Sequence, residues 1–189
     1  MKGSFYQLLS FLPSLDFNRS PGISLDSFEK NCELPCTEGQ LAMVQEVLQQ
    51  QSPPEFPGLN RFSSYSRWEL GLRNEGVRMR GAKLGKNEKD YLRHEPSGRS
   101  AFRFLKSLQQ GEDPLVRENL LDQARWHLIS DLEIGGYFSF ENLLFYGVKL
   151  KILDRKFRYN LEKGKEKFEN LTQQFLNEVR QQISLKSED

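Results

Sequence analysis

The chain has 189 residues, a formal net charge of +1 and 28% charged side chains. That length fits one domain or a domain with an appendage, and the charge excludes a strongly basic nucleic-acid module or an acidic tail as the whole protein. Leucine occurs 28 times and valine plus isoleucine only 11 times; leucine loses little rotamer freedom in a helix while β-branched residues favour strands, so the composition predicts an all-α protein.

In chain order, Phe5 to Leu12 is an apolar run ended by Pro13, too short to assign to strand or helix. Its Gln7 and Ser10, and the lack of a small-x-small site, argue against a signal peptide. Ser24 is placed to cap a helix with Leu25, Phe28 and Cys32 on one face. Thr37-Glu38-Gly39-Gln40 has capping-box spacing ahead of Leu41, Val44 and Leu48. The proline-rich stretch from Ser52 to Gly58 breaks any helix. It separates a smaller, irregular N-terminal region (1–58) from a bundle of long antiparallel helices (59–189), the two expected to pack as one compact unit.

A helix is expected from about Arg61 to Leu84, with Gly85 as its stop. Tyr65, Trp68, Leu72, Gly76 and Met79 form its apolar stripe, and Gly76 is the point where a neighbouring helix is expected to come close. Asn87 is placed to cap a short helix, and another is expected from Gly98 to Gln110. Asp113-Pro114 pairs a capping acid with proline at the first helical position, followed by Leu120, Leu121, Ala124, Leu128 and Leu132 on one side. After Gly135-Gly136, Ser139 restarts the chain as a cap, with Phe138 expected to staple onto Leu143. The last helix carries Phe168, Leu171 and Phe175 inward. The second half thus reads as three antiparallel helices over about 114–133, 140–158 and 161–184.

Chemical motifs are few. Cys32 and Cys36, the only cysteines, build no disulfide framework, which points to a reducing cytoplasm. Pro35 argues against one continuous helix through both, and no second Cys/His cluster completes a zinc site, so they read as structural thiols before redox or metal ligands. His94 and His127 lack the spacing of a metal site, and no catalytic or cofactor-binding motif occurs. No apolar run approaches the roughly 20 residues that span a bilayer. Among the carboxylates, Glu69, Asp131 and Glu141 are the candidates to bond Arg73 or Arg125 from another helix, because arginine's planar fork suits a partly buried pair.

Charge is uneven: residues 1–60 carry net −4, 61–106 net +7, 107–148 net −5 and the remainder net +3. Alternating blocks either attract each other within the fold or mark partner surfaces. Arg78, Arg80, Lys83 and Lys86, toward the end of the long basic helix, are the residues expected to be exposed and to contact a partner. Tyr65 and Trp68 lie on the apolar stripe, which makes core burial a better account of them than base stacking. Nucleic acid is therefore the weaker reading of the basic block.

One stretch is more specific. It runs through Asp113-Pro114-Leu115, Leu121-Asp122-Gln123-Ala124-Arg125-Trp126, Leu132 to Leu143 with Glu141, Tyr146 to Arg155, and Glu162-Lys163-Gly164-Lys165. It resembles the C-terminal half of an uncharacterised bacterial family found in operons for V-type (A-type) ATP synthases. The opening Phe5 to Pro13 and the Ser24-Leu25 helix start look like the same family. Trp68-Glu69-x-x-Leu72-Arg73-Asn74 looks like its middle motif and is similar to a pattern in the C-type, central-stalk component of V-type ATPases. The resemblance implies a non-catalytic helical accessory or central-stalk component, coupling rotor shaft to membrane ring by contacts with V-type ATP synthase subunits. It implies no cofactor, metal or small-molecule substrate, and a cytoplasmic place, peripheral to the inner membrane through the complex. The alternative is an RNA- or tRNA-associated helical module using residues 61–106.

Overall fold

The computed structural model describes residues 5–50, 53–85, 87, 91–92, 113–158, 168–173 and 175–176. The expected all-α class holds: among these residues there are helices and no strand. The helices are α1 (Tyr6–Phe11), α2 (Leu25–Glu33), α3 (Glu38–Gln49), α4 (Asn60–Leu84), α5 (Pro114–Glu133) and α6 (Phe140–Arg158). Residues 168–173 and 175–176 are also helical. The chain divides into two compact units, Met1–Asp154 and Arg155–Asp189. The N-terminal region therefore shares one unit with α4, α5 and most of α6. The short helices expected after Asn87 and from Gly98 to Gln110, and most of the helix expected over 161–184, lie outside the described residues.

Helix ends follow the chemistry of the caps. Ser24 Oγ accepts the Ser27 N–H at 3.1 Å. Thr37 and Gln40 close a reciprocal box, the Gln40 N–H to Thr37 Oγ1 at 3.3 Å and the Thr37 N–H to Gln40 Oε1 at 3.0 Å. Each bond satisfies a backbone donor that the helix itself cannot pair. Gly85 ends α4 at φ 61°, a left-handed conformation that glycine adopts without Cβ strain. Asp113 Oδ1 accepts the Leu115 N–H at 2.9 Å, with Pro114 in the first turn of α5. Ser139 Oγ accepts the Asn142 N–H at 3.2 Å at the start of α6.

Helix α6 is the centre of the first unit. Leu143, Leu144, Phe145, Gly147, Val148, Leu150, Ile152 and Leu153 are all buried, positions that fall on more than one face, so neighbours cover the helix on several sides between its charged residues. Phe28 of α2 stacks on Tyr146 at 5.2 Å, Phe62 and Tyr65 of α4 meet Phe145 at 5.5 and 6.4 Å, and Phe5 meets Phe140 at 5.5 Å. Lys151 Nζ donates to the Val47 and Gln50 carbonyls, both at 2.7 Å, and so caps the C-terminal end of α3 with a cation. The close helix approach is at Gly147, where a Cβ would stand 3.2 Å from the Phe28 ring. At Gly76, expected to play that part, the nearest atoms among the described residues belong to the Arg80 guanidinium of its own helix, at 3.7 Å.

Three further expectations meet a different arrangement in whole or in part. On α5, Leu128 and Leu132 pack against the core as expected, but Leu120 is 38% exposed and the buried residues are Asp122 and Ile129; a face chosen by leucine content alone missed that a paired acid can be an inward residue. Phe138, expected to staple onto Leu143, finds an aromatic neighbour on α1. It takes φ 60° and packs edge-on against Tyr6 at 4.6 Å, so α1 supplies its apolar neighbour. Phe168, Leu171 and Phe175, expected inward, are 71%, 57% and 65% exposed. Periodicity identified an apolar face there, and a face does not name its own cover.

Candidate functional site

Residues from two distant parts of the sequence meet between α4 and α5. Glu69 is 2% exposed, a position that an isolated carboxylate cannot hold without partners. Its Oε2 accepts Arg125 Nε at 2.9 Å and its Oε1 accepts Arg125 Nη2 at 3.0 Å, a two-pronged pair across the helices. Arg73 Nε donates to the same Oε1 at 3.1 Å. Arg125 Nη1 turns to Asp122 Oδ1 at 2.9 Å, one turn away on its own helix. Arginine's rigid fork suits this use, since each nitrogen points at a different acceptor.

The electrostatics follow from burial and pairing. Burial works against the Arg125 charge, but attraction and hydrogen bonding from Glu69 outweigh it, and the guanidinium is held above its usual range. Tyr65, one turn before Glu69, is pushed well above the ordinary phenol range, first by burial and then by the Glu69 charge. Tyr146 is raised to about 12 by burial, with its hydroxyl donating to the Pro13 carbonyl at 2.8 Å.

These two tyrosines set an alkaline limit. A phenol whose folded pKa exceeds its unfolded value, about 10, contributes stability that is complete below pH about 10 and is lost as pH rises above it. The urea midpoint should therefore fall between pH 9 and pH 11, and Tyr65→Phe should flatten that fall more than Tyr146→Phe. An unchanged slope in Tyr65→Phe would remove the tyrosine from the explanation.

A second polar knot lies at the start of α4, about two turns before Glu69. Helix α4 begins without a side-chain cap of its own, since Leu59 occupies the cap position. Glu141 of α6 supplies it: Oε1 accepts the Arg61 N–H at 2.9 Å and the Phe62 N–H at 3.4 Å. Arg61 answers with Nε to Glu141 Oε2 at 2.8 Å, Nη2 to Ser139 Oγ at 2.8 Å, and Nη1 to Asn142 Oδ1 and the Leu132 carbonyl, both at 3.1 Å. One guanidinium thus joins α4, the end of α5 and the start of α6. Because Arg61 meets Leu132 while Glu69 meets Arg125, α4 and α5 run in opposite directions.

The sequence-predicted residues distribute as follows. Glu69, Arg73 and Arg125 come together, as expected of a partly buried pair between helices. Glu141 is ion-paired too, but with Arg61 and not with Arg73 or Arg125, because it sits at the start of α4, some two turns from Glu69. Asp131 is exposed. Asn74 is 2% exposed, and Trp68 is half-buried against the core. Trp126 lies between Phe17, edge-on at 5.6 Å, and the Lys149 ammonium at 5.0 Å from its ring centre.

Of the expected partner residues, Arg80 is exposed. Arg78 is not: it is half-buried and paired with the buried Glu75 one turn away. The side chains of Lys83 and Lys86 lie outside the described residues, as does His94. His127 is exposed on α5. Among the described residues no group of three or more His, Cys, Asp or Glu side chains is placed to hold a metal ion. None of the described helices is long and apolar enough to cross a membrane.

Both knots tie helices together through carboxylates whose lone pairs are committed to N–H donors. Such groups suit fixing helix register. Residues 99–179 match a family described as "Protein of unknown function (DUF2764)". The match takes in α5 and α6, hence Arg125, Asp122 and Glu141, while Glu69 and Arg61 lie before it. No curated protein matches the chain, and neither does any solved structure.

Proposed function

We propose that this chain is a non-catalytic central-stalk or accessory component of a V-type ATP synthase, one that couples rotor shaft to membrane ring through protein contacts. The observation that supports this most is the Glu69–Arg125 pair, with Arg125 Nε 2.9 Å from Glu69 Oε2. It joins the motif Trp68-Glu69-x-x-Leu72-Arg73-Asn74 to the Asp113–Lys165 block. These are the two stretches that resemble the ATP synthase-associated family, and a shared knot gives them a common mechanical purpose. A part that passes torque needs helices held at fixed register, which a two-pronged buried pair provides better than apolar packing alone, since apolar contacts are non-directional. Exposed aromatic side chains around the α5–α6 turn, with Tyr137 75% and Tyr6 55% exposed, offer contact area for a protein partner. On this reading the protein sits in the cytoplasm, at the inner membrane through the complex, and performs no reaction of its own.

Co-purification of the tagged chain from its native host, with and without crosslinking, tests the proposal. Recovery of ATP synthase subunits is the expected result. Recovery of ribosomal or tRNA-modifying proteins, with no ATP synthase subunit, overturns it in favour of the RNA-associated module. Arg80 gives a second measurement. Its exposed charge is placed to steer a partner, so Arg80→Glu should lower recovery of the complex and alter its salt dependence while the melting temperature stays where it was. Equal recovery at low and high salt would take Arg80 out of the interface.

A further inference from the structure

We propose that Cys32 and Cys36 form a reversible thiol–disulfide site, one that exchanges with small disulfides of the glutathione class and closes to an internal Cys32–Cys36 bond. The geometry is that of one helical turn. Cys32 lies in the last turn of α2, Leu34 continues in the right-handed helical conformation, and the Cys36 N–H donates to the Cys32 carbonyl at 3.1 Å. Such a turn sets the two Cα atoms about 6 Å apart. Disulfides span Cα separations of about 4.4 to 6.8 Å but need Cβ atoms about 3.5 to 4.5 Å apart, closer than the roughly 5 to 6 Å of a regular helical turn, so closure also draws in the backbone around Cys36, which lies beyond the end of α2 at Glu33. Pro35 does not break this turn, because its own missing N–H is not the donor that holds Cys36 in place.

The two sulfurs are unequal, and the inequality assigns their roles. Cys32 is fully buried, and its thiol is held far above the usual range, first by the hydrogen bond to Cys36 and then by burial. Cys36 is half-buried and unpaired by any disulfide, at a bend beside Leu34, which is 97% exposed. Its thiol is lowered by the hydrogen bond from Cys32, against a smaller opposing effect of burial. The thiolate is the nucleophile in exchange, so the accessible sulfur with the lower pKa attacks and the buried one follows.

The steps balance. The Cys36 thiolate attacks one sulfur of the small disulfide, forming a mixed disulfide and releasing one thiolate. The Cys32 sulfur then attacks Cys36 Sγ, its proton passing to the departing sulfur, which leaves as the second small thiol. The protein loses two electrons and two protons, and the small disulfide becomes two thiols. Excess reduced thiol reverses the sequence through the same mixed disulfide.

The test is intact-mass analysis of the folded full chain after incubation with oxidised glutathione, alongside Cys32→Ala and Cys36→Ala, each checked by its melting curve. The wild type should lose two hydrogens and carry no adduct. Cys32→Ala should trap one glutathione, because the resolving sulfur is gone, and dithiothreitol should remove it. Cys36→Ala should stay unmodified while folded. Should removing the buried thiol unfold Cys32→Ala, Cys32→Ser takes its place, and the wild-type mass change decides independently. A wild type that retains a glutathione adduct, a wild type unchanged across the whole range of glutathione ratios, or a folded Cys36→Ala that reacts as readily as Cys32→Ala would each overturn the proposal.

Discussion

Arg125→Ala should cost about 3 to 5 kcal/mol of unfolding free energy, because it strips a buried carboxylate of its main partner. For a chain of this size that corresponds to a fall in melting temperature of about 6 to 20 °C. Glu69 is only 2% exposed. With Arg125 gone, the Arg73 bond at 3.1 Å would be its one remaining partner of those described, and Asp122, 4% exposed, would lose the donor at 2.9 Å. Two buried acids would then each have lost a charge-assisted bond. Arg73→Ala should cost far less, about 1 kcal/mol or below, because the Arg73 side chain is 34% exposed and solvent screens its half of the interaction. The discriminating variant is Glu69→Gln placed on Arg125→Ala. Removing the orphaned charge should recover a substantial part of the loss, whereas Glu69→Gln alone should be destabilising. Additive losses in the double variant would mean that the two groups act independently and that the cluster is not one unit.

How much of this was readable from the residues differs from element to element. Caps written in local sequence were legible: Ser24, Thr37 with Gln40, Asp113-Pro114, Gly85 and Ser139 all act where their spacing places them, because each acts on backbone within a few residues of itself. The Glu69–Arg125 pair was legible as a class, since a partly buried arginine among apolar neighbours requires a carboxylate, but the partner had to be chosen from three candidates. The Arg61 knot was not foreseen. Its signal was a deficiency: α4 opens on Leu59-Asn60-Arg61 with neither a serine, threonine or aspartate cap nor an acid in its first turn, so its orphan N–H groups had to find an acceptor elsewhere. The acceptor is Glu141, 80 residues away, a distance that no local pattern spans. Arg78 was misplaced for a related reason: a basic residue in a basic block looks solvated until the buried acid one turn away, Glu75, is seen to claim it.

Gly136→Ala should be among the most damaging glycine substitutions in the chain, although its φ lies outside the range that favours glycine. The α5–α6 turn holds two consecutive glycines with opposite demands. Gly135 has φ 80° and open space around its missing Cβ, so Gly135→Ala carries only the backbone strain of a left-handed residue, about 1 to 2 kcal/mol. Gly136 carries no such strain, but a Cβ there would stand 1.8 Å from Arg61 Nη1 and 2.1 Å from Arg61 Cζ. The guanidinium is the end of a long side chain and would ordinarily swing aside at little cost. Here it cannot move without giving up Leu132, Ser139, Asn142 and Glu141 together. Each charge-assisted bond contributes roughly 1.5 to 3 kcal/mol in net terms, and they are lost jointly and replaced in part by water, so a total of about 3 to 4 kcal/mol is expected. The mechanism has a sharp signature. On an Arg61→Ala background the clash no longer exists, and Gly136→Ala should then be nearly neutral. If Gly136→Ala costs as much there as in the wild type, the damage comes from the turn itself, and the guanidinium is not what reserves that space.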